Sequence, residues 1–580
     1  MAKTLILGNK NFANCDVILK EVATLQVTTS SINNEAEIVE FIKSNIPNDL
    51  DRIIINVNEI DTTLALHIAL RIRLMLLSLK RTSLCAIIFV SESSFETMVD
   101  YSVSSLLLMT KGVYWVNQEE LTNAIENANP ITPTQYVSEF LNLIKIQPKE
   151  NVEGRHSIAN EWGADVLSKV ITSGVKSEFI PLRTSSSLYF MYCSVIALNV
   201  DDIDKIVNDI PRNFLLRTLK ITDNINYLLI DDEAQKGWGE VLNILMPNAC
   251  ATIHDKKTTN YEDLPQNIKR RIETGEFGII FLDLRMNGVE EEAIINPKEF
   301  SGMKILSGIK KINPGIQVIM FTATNKGWNV KAMLDEGANG YYMKESPEYH
   351  FKLSYSEQNA KAFVETIETC LKDSYLKDIW LKKKGALENL DSYEDLNDLY
   401  RVIKLNWESA FILLNQHHYK DALLQLLMAI EAYANKYTKE YPDGSRAVVY
   451  SKNVNFKYDI GEDEESCIYD KDGSYYKPRF GSFEKFQNGK EKHIVNIDID
   501  ENGSCKDYLK LSLIIKITAV MDQHLGSIEG IKQVCELIFI RNNRLAHHGI
   551  SNEYIESKRP ITKEDCQFIF DLTYKLIMAK

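Results

Sequence analysis

Five polar side chains that close short apolar segments have the types needed for phosphoryl chemistry. Asp231 and Asp232 follow YLLI, Asp283 follows GIIFL, Thr322 follows QVIMF, and Lys344 follows GYYM. Three clustered carboxylates repel one another, and a hard divalent cation such as Mg²⁺ relieves that repulsion. Asp283 could then act as a nucleophile that forms an aspartyl phosphate. Lys344 would pair with the phosphate, and the Thr322 hydroxyl would donate to one of its oxygens.

A parallel sheet is the element that must position these side chains. Apolar runs alternate with helical patterns from Asn226 to near Lys344, which is typical of βα units. In a doubly wound sheet the carboxyl ends of the strands converge at one edge, where ligands bind. We therefore expect three carboxylates, one hydroxyl and one amine to meet in one cleft.

The order and spacing of these motifs resemble the response-regulator receiver family over about residues 223–350. By that resemblance Asp283 is phosphorylated, Mg²⁺ is the cofactor, and the partner is a histidine kinase or a phosphotransfer protein. The implied metal ligands are Asp231, Asp232, Asp283 and the backbone carbonyl of Arg285, and the implied switch residues are Thr322, Tyr341 and Lys344. Two features depart from the family pattern: residues 289–301 lengthen the loop after Asp283, and Glu345 follows Lys344 where proline is usual.

Residues 1–145 show a similar alternation without the acidic residues. Strands are predicted at Thr4–Gly8, Arg52–Val57 and Leu84–Val90, and residues 53–58, where the second strand ends, read IIINVN. Without carboxylates this segment has neither a nucleophile nor a Mg²⁺ site. It is either a receiver-like domain that cannot be phosphorylated, with a docking or dimerising role, or an unrelated flavodoxin-like domain.

Residues 146–222 form a connector of mixed character whose fold the sequence leaves open. It contains His156, four residues before Asn160. This spacing on a helix faintly resembles phosphotransfer histidines, although Ser157 stands where an acidic residue usually follows. The alternative is a packed or surface histidine.

Beyond Ala360 long amphipathic patterns predict helices. A helical linker is expected over 351–395 and a helical domain over 396–580, with an insertion at about 441–505 that is rich in Gly, Asp, Lys and Tyr. Hairpins are expected at Asp472-Gly473 and Asn502-Gly503.

The segment from Arg541 to Gly549, RNNRLAHHG, resembles the HEPN superfamily, whose ribonucleases carry an arginine, a polar residue and then a histidine at a helix end. The helix that contains Glu431 resembles the other core helix of that family. The resemblance implies metal-independent RNA cleavage by two motifs across a two-fold dimer, with arginine binding phosphate and histidine acting as acid or base. Non-catalytic HEPN domains exist, so a binding or dimerising role stays open. The implied catalytic residues are Arg541, Asn542, His547 and His548.

Composition bounds these hypotheses. The chain is 45% hydrophobic and 25% charged, which is ordinary for globular domains, and its net charge of −14 argues against a general polyanion-binding protein. Nine cysteines, an odd number without a CxxC pair, argue against a disulfide framework or a zinc cluster and favour a reducing cytoplasm. The first residues lack the apolar core of a signal peptide, and Thr63–Lys80 reads as a core helix because charges interrupt it.

The expected fold class is multidomain: two α/β flavodoxin-like domains, one a degenerate receiver and one a true receiver, followed by an all-α HEPN-like domain with a β-rich insertion. The expected function is a cytoplasmic, homodimeric response regulator whose phosphorylation controls a ribonuclease that acts on RNA in a stress or anti-phage response. The alternatives are a non-catalytic signalling protein and a phosphate sink in a phosphorelay. No membrane partner is expected.

Overall fold

The structure is a computed structural model, and it describes most of the chain. The described residues are 3–8, 12, 23–25, 35–97, 103–147, 155–172, 187–209, 219–287, 291, 294–323, 326–346, 351, 353–437, 439–440, 447–448, 454–457, 467–470, 475–479, 482–487, 490–496, 512–527, 529–541 and 560–579. They form two compact units. The first contains 1–264, 279–308 and 318–369, and the second contains 265–278, 309–317 and 370–580.

The first sheet has five parallel strands in the order β2-β1-β3-β4-β5. Its middle strands are apolar runs because both faces are buried. Its strands are β1 (Thr4–Leu7), β2 (Ala23–Leu25), β3 (Arg52–Asn56), β4 (Ala86–Val90) and β5 (Val113–Val116). Its helices are α1 (Glu35–Asn45), α2 (Thr62–Leu74), α3 (Leu76–Leu79), α4 (Leu121–Asn127) and α5 (Pro133–Tyr136).

The connector is helical, with α6 (Arg155–Ile171), α7 (Ser187–Ile196) and α8 (Val200–Val207). A capping box fixes the start of α8, since Asn199 and Asp202 each accept a backbone N–H from the other. Phe190 of α7 and Trp162 of α6 join the core around the first sheet, with ring centroids 5.6 Å apart. The connector therefore packs as part of the first unit.

No single helix in the described ranges is long and apolar enough to cross a membrane. One bent pair, Thr62–Leu74 with Leu76–Leu84, meets the criteria of length and composition across a 71° bend. Most of its residues are buried in the core beside the first sheet, which agrees with the core helix expected there.

The second sheet has the order β10-β9-β8-β6-β7. β6 pairs in parallel with both β7 and β8, and β10 pairs in parallel with β9. Numbered from its own first strand, this is the same 2-1-3-4-5 order as in the first sheet, the doubly wound arrangement. Its strands are β6 (Asn226–Ile230), β7 (Cys250–His254), β8 (Ile279–Asp283), β9 (Gln317–Thr322) and β10 (Gly340–Met343). Its helices are α9 (Trp238–Leu245), α10 (Gln266–Glu273), α11 (Ser301–Ile312) and α12 (Gly327–Asp335).

The helical linker expected over 351–395 consists of two helices, α13 (Leu353–Asp373) and α14 (Tyr375–Asp391), which separate at Ser374. Phe363 of α13 lies against Tyr342 of β10, with centroids 4.5 Å apart, and against Phe321 of β9 at 5.5 Å. The predicted domain boundary at 350 is therefore too early, because α13 completes the core beneath the second sheet.

The second unit holds one large apolar core, to which amphipathic helices contribute their buried faces. Trp407 and Tyr433 are among its largest fully buried side chains. Its further helices are α15 (Asn397–Asn415), α16 (Tyr419–Lys436), α17 (Ser512–Leu525), α18 (Ile531–Ile540) and α19 (Lys563–Met578).

Strands interrupt these helices, in agreement with the predicted β-rich insertion. β13 to β17 form a five-stranded antiparallel sheet in sequence order. β14 and β15 pair on either side of the hairpin expected at Asp472-Gly473, whereas Asn502-Gly503 lies outside the described residues. The strands are β11 (Lys439–Glu440), β12 (Ala447–Val448), β13 (Val454–Lys457), β14 (Cys467–Asp470), β15 (Tyr475–Arg479), β16 (Ser482–Gln487) and β17 (Lys490–Asn496).

Candidate functional site: an acidic pocket at the edge of the second sheet

Three carboxylates meet at the carboxyl edge of the second sheet. Asp231 follows β6, Asp283 ends β8, and one carboxylate oxygen from each of Asp231, Asp232 and Asp283 lies within 4.8 Å of the others. Ile230 pairs with Leu282 in the ladder, so the next residues, Asp231 and Asp283, stand side by side. Neighbouring parallel strands thus deliver the two acids to the point where the strand order reverses.

Lys344 lies between two of these acids. Its Nζ donates to Asp231 Oδ2 at 2.8 Å and to Asp283 Oδ1 at 2.9 Å, and all three side chains are almost completely buried. Burial opposes the charged amine, but the two carboxylates raise the pKa of Lys344 above its usual value. The lysine therefore remains protonated and balances part of the negative charge.

Asp232 is the acid that lacks compensation. Its Oδ1 is buried and has no hydrogen-bond partner among the described residues. Burial, and then the charges of Asp283 and Asp231, raise the pKa of Asp232 to about 7. Burial also raises the pKa of Asp231, although Lys344 offsets part of that effect. The three neighbouring carboxylates form a ligand set that suits a divalent cation with a preference for oxygen.

The expected switch residues lie in two different environments. Thr322 is buried at the end of β9, and its carbonyl oxygen accepts the Lys344 N–H at 2.7 Å. Tyr341 points outward from β10 and is 42% exposed, so it can change position without disrupting the core. Arg285 donates its N–H to Asp283 Oδ2 at 3.3 Å, and its guanidinium lies over the Phe300 ring.

The lengthened loop after Asp283 is anchored to the start of α11. Glu291 is buried and accepts the Ser301 N–H at 3.0 Å, and the Ser301 hydroxyl accepts the Met286 N–H at 2.8 Å. Gly302 donates its N–H to the Leu284 carbonyl at 3.1 Å. The chain after β8 therefore remains hydrogen-bonded to the start of α11 despite the longer loop.

Glu345 takes the place of the usual proline without disturbing the pocket. No described peptide bond is cis, as expected for a bond that does not precede proline. The Glu345 side chain is buried and accepts from the Ser356 hydroxyl at 2.6 Å. Burial raises the pKa of Glu345, while Ser356 and Asn359 lower it in part.

Sequence reasoning missed two residues beside the pocket, Glu233 and Trp238. The Glu233 N–H donates to Asp231 Oδ1 at 2.8 Å. The Trp238 ring is fully buried, and its centroid lies 5.2 Å from Lys344 Nζ. Glu233 directly follows the acidic pair, and that adjacency was the available signal. Nothing in the sequence marks Trp238.

The first sheet lacks this chemistry at the corresponding positions. Leu7 pairs with Ile55, so Gly8 and Asn56 occupy the places that Asp231 and Asp283 occupy in the second sheet. Gly8 has a φ of +101°, and a Cβ there would lie 3.2 Å from Asn56 Cβ. Neither position supplies a carboxylate.

Comparisons with known proteins agree with this arrangement. The family described as "Inactive Receiver domain" matches residues 3–116, which favours the receiver-like alternative for the first domain. Over residues 3–116 the chain is therefore similar to a receiver domain. Its two parallel sheets have the α/β flavodoxin-like fold of receiver domains, and the rest of the chain is rich in helix. No curated protein matches the sequence.

Solved structures of response regulators are also similar. A CheY-like receiver domain protein from Methanospirillum hungatei JF-1 is 19% identical over 27% of this chain and 96% of its own, with a TM-score of 0.18. A receiver domain protein from Clostridium thermocellum is 21% identical over 24% of this chain and 98% of its own, with a TM-score of 0.16. NtrX from Brucella abortus is 17% identical over 31% of this chain and 34% of its own, with a TM-score of 0.20.

The residues predicted for RNA cleavage are only partly described. Arg541 follows α18 and pairs with Glu431 of α16, with Nη2 and Oε2 2.8 Å apart. The Nε of Arg541 is buried and has no hydrogen-bond partner in the described parts of the chain. Asn542, His547 and His548 lie outside the described residues, as does the side chain of His156.

Proposed function

We propose that this protein is a response regulator that accepts a phosphoryl group on Asp283. A histidine kinase or a phosphotransfer protein is the proposed donor. The observation that carries the proposal is the ammonium group of Lys344 held between Asp231 and Asp283 beside the uncompensated oxygen of Asp232. Structural ion pairs seldom gather three acids around one lysine in a buried cleft, because the remaining negative charge is costly.

Mg²⁺ is the proposed cofactor. Asp231, Asp232, Asp283 and the carbonyl of Arg285 would hold it, and the bound ion would neutralise charge between the pocket and the incoming phosphoryl group. The Asp283 carboxylate attacks the phosphorus atom of the donor, and the donor imidazole leaves. Lys344 then exchanges its Asp283 contact for a phosphoryl oxygen, and the Thr322 hydroxyl donates to another. This rearrangement would alter the face around Tyr341.

The phosphoacceptor is tested with phosphoramidate, a small donor that needs no kinase. The protein is incubated with phosphoramidate and Mg²⁺, and the phosphorylated peptide is located by mass spectrometry. We expect one labile phosphoryl group on Asp283 and none in Asp283→Asn. Asp255→Asn is the matched control, because Asp255 also follows a strand of this sheet but is exposed. Absence of the modification from wild type would refute the proposal.

We further propose that phosphorylation controls a HEPN-like ribonuclease formed by residues 396–580 in a homodimer. The partly exposed guanidinium of Arg541, which pairs with Glu431, supports this role, because a guanidinium is suited to binding a phosphate oxygen. Arg541 and Asn542, with His547 or His548, would bind phosphate and move the protons of RNA cleavage. Defence against phage is the proposed setting.

Cleavage of total RNA by phosphorylated and unphosphorylated protein tests this second proposal. Arg541→Ala, Asn542→Ala and the paired variant His547→Ala/His548→Ala should abolish cleavage. Arg401→Ala, at an exposed arginine of α15, should retain it. RNA that stays intact with phosphorylated wild-type dimer would overturn the ribonuclease. A phosphate-dependent change in assembly would then favour a non-catalytic signalling protein, and no change would favour a phosphate sink.

A further inference from the structure

The connector helix α6 runs beside α9 with its first half at the edge of the sheet that carries the acidic pocket. Near its end, the Ile171 carbonyl accepts the Leu219 N–H at 3.1 Å. Two residues later Ile221 donates to Leu245, the last residue of α9. Asn160 lies in α6 about three turns before Ile171, and its side chain reaches Glu233 in the loop that follows β6. The two helices therefore run in the same direction, and Asn160 lies level with the pocket.

Asn160 joins two residues that contact the pocket. It is 1% exposed, its Nδ2 donates to Glu233 Oε2 at 2.7 Å, and its Oδ1 accepts the indole N–H of Trp238 at 3.0 Å. The indole can only donate and a carboxylate can only accept, so the amide has a single orientation that satisfies both partners. Asparagine is the short side chain that provides this donor and this acceptor together.

Both partners of Asn160 act on the charged groups of the pocket. The Glu233 N–H bonds to Asp231, and the Glu233 carboxylate is one of the charges that raise the pKa of Asp232. Trp238 packs its ring face near the Lys344 ammonium group. The position of one amide thus fixes the place of an extra negative charge and of the aromatic wall beside the lysine.

The close approach of α6 is permitted by Gly163, one turn after Asn160. A Cβ at this position would lie 3.1 Å from the Glu345 carbonyl oxygen and 3.2 Å from Trp238 Cζ2. The helix therefore contacts the loops after both β6 and β10, which border the pocket on two sides.

We propose that Asn160, outside the sequence boundaries of the receiver domain, is a positioning residue for phosphoryl transfer to Asp283. This inference rests on the proposed phosphoacceptor function. Asn160 keeps the Glu233 carboxylate out of the group of three acids and holds Trp238 against Lys344. Without the amide donor the Glu233 side chain turns freely, and the charge distribution that a divalent cation meets is no longer fixed. Residues that orient metal-binding groups in this way typically change affinity or activity by about 10- to 100-fold when replaced.

The test reverses the hydrogen bond. Asn160→Asp still accepts from Trp238 but places a carboxylate against Glu233, and Asn160→Ala removes both bonds. The pair Asn160→Asp with Glu233→Gln restores a donor–acceptor match with the roles exchanged. Ser168→Ala is the control, because Ser168 is a buried polar residue of the same helix whose hydroxyl donates to the carbonyl of Asp165. Mg²⁺ affinity is measured by calorimetric titration of the full chain, and the phosphorylation rate with phosphoramidate at saturating Mg²⁺.

We expect Asn160→Asp to weaken Mg²⁺ binding and slow phosphorylation by about tenfold or more, and Asn160→Ala to do so less. The paired variant should recover the values of Glu233→Gln alone, and Ser168→Ala should match wild type. Asn160 variants that equal wild type, or a paired variant that recovers nothing, would overturn the positioning role. If wild-type Asp283 takes up no phosphate, the proposed function itself fails; phosphorylated wild type with unaffected variants removes only the role of Asn160.

Discussion

Gly302 makes the tightest backbone contact beside the pocket, and we predict that even alanine at this position lowers the stability of the protein. Gly302 is the second residue of α11, and a Cβ there would lie 2.1 Å from the Asp283 carbonyl oxygen and 2.8 Å from Leu284 Cα. Carbon and oxygen atoms in close backbone contacts are about 3.3 Å apart. The helix and the end of β8 must therefore separate by roughly 1 Å, and no side-chain rotation can relieve the overlap.

The cost follows from this displacement. Overpacking of this kind costs about 1–3 kcal/mol. Loss of the hydrogen bond from Gly302 to Leu284 adds about 1 kcal/mol. We expect Gly302→Ala to lower the free energy of unfolding by about 2–4 kcal/mol in total. A shift of about 1 Å at Asp283, the proposed nucleophile, should also slow its phosphorylation by up to about 100-fold.

Urea unfolding, hydrogen exchange of the peptide that spans the end of β8, and phosphoramidate kinetics measure the three effects. Gly327→Ala is the matched control: Gly327 begins α12 in the same domain, and a Cβ there would meet nothing within 4 Å. We expect the control to be neutral or to gain about 0.4–1 kcal/mol. A Gly302→Ala protein with the urea midpoint, exchange and phosphorylation rate of wild type would refute this account of the contact.

Three further predictions concern the charges of the pocket and the helical unit. The affinity for Mg²⁺ should rise about tenfold per pH unit up to about pH 7 and level off above it. The reason is that Asp232, whose pKa is raised to about 7, must lose its proton before the metal binds. A Mg²⁺ affinity that does not change between about pH 5.5 and 8.5 would contradict this. Lys344→Met should destabilise the protein by about 3–5 kcal/mol, since Asp231 and Asp283 lose their counter-charge. Burial raises the pKa of Asp231 and Lys344 offsets part of that effect, so in the variant the folded-state pKa of Asp231 should lie further above the unfolded one. The loss should therefore shrink in thermal unfolding as the pH falls from 8 to about 5, and a loss independent of pH would exclude this cause. Gly385 lies within α14, and a Cβ there would meet nothing within 4 Å. Gly385→Ala should therefore raise the free energy of unfolding of the helical unit by about 1 kcal/mol in urea. A lower free energy of unfolding would indicate that this position makes a contact in solution.

The acidic pocket was accessible from the sequence because its positioning depends on a local rule. Asp231, Asp283, Thr322 and Lys344 each end or directly follow a short strand of one parallel sheet, and parallel strands place their ends at one edge. Asp231, Asp283 and Lys344 could therefore be brought together without any knowledge of long-range packing. The short strands β2, β5 and β7 were missed; β7 is partly exposed, with the burial pattern of an edge strand and no continuous apolar run.

The contribution of the connector could not be obtained in this way. Asn160 and Trp238 are 78 residues apart, and their hydrogen bond depends on the docking of α6 against α9. The boundary between α13 and α14 was missed for a related reason. Leu353–Asp391 has a nearly continuous helical pattern, and the break at Ser374 carries no proline or glycine to mark it.

The docked α6 limits how freely the second α/β domain can be exchanged between proteins. A fragment cut at residue 223 would lose Asn160 and Gly163, and the indole N–H of Trp238 would lose its acceptor. In evolution, as in the design of chimeras, the segment that can be transferred with its contacts intact begins at α6. A junction at β6 would leave Asp231 and Asp232 without the contacts that α6 makes to the neighbouring loops.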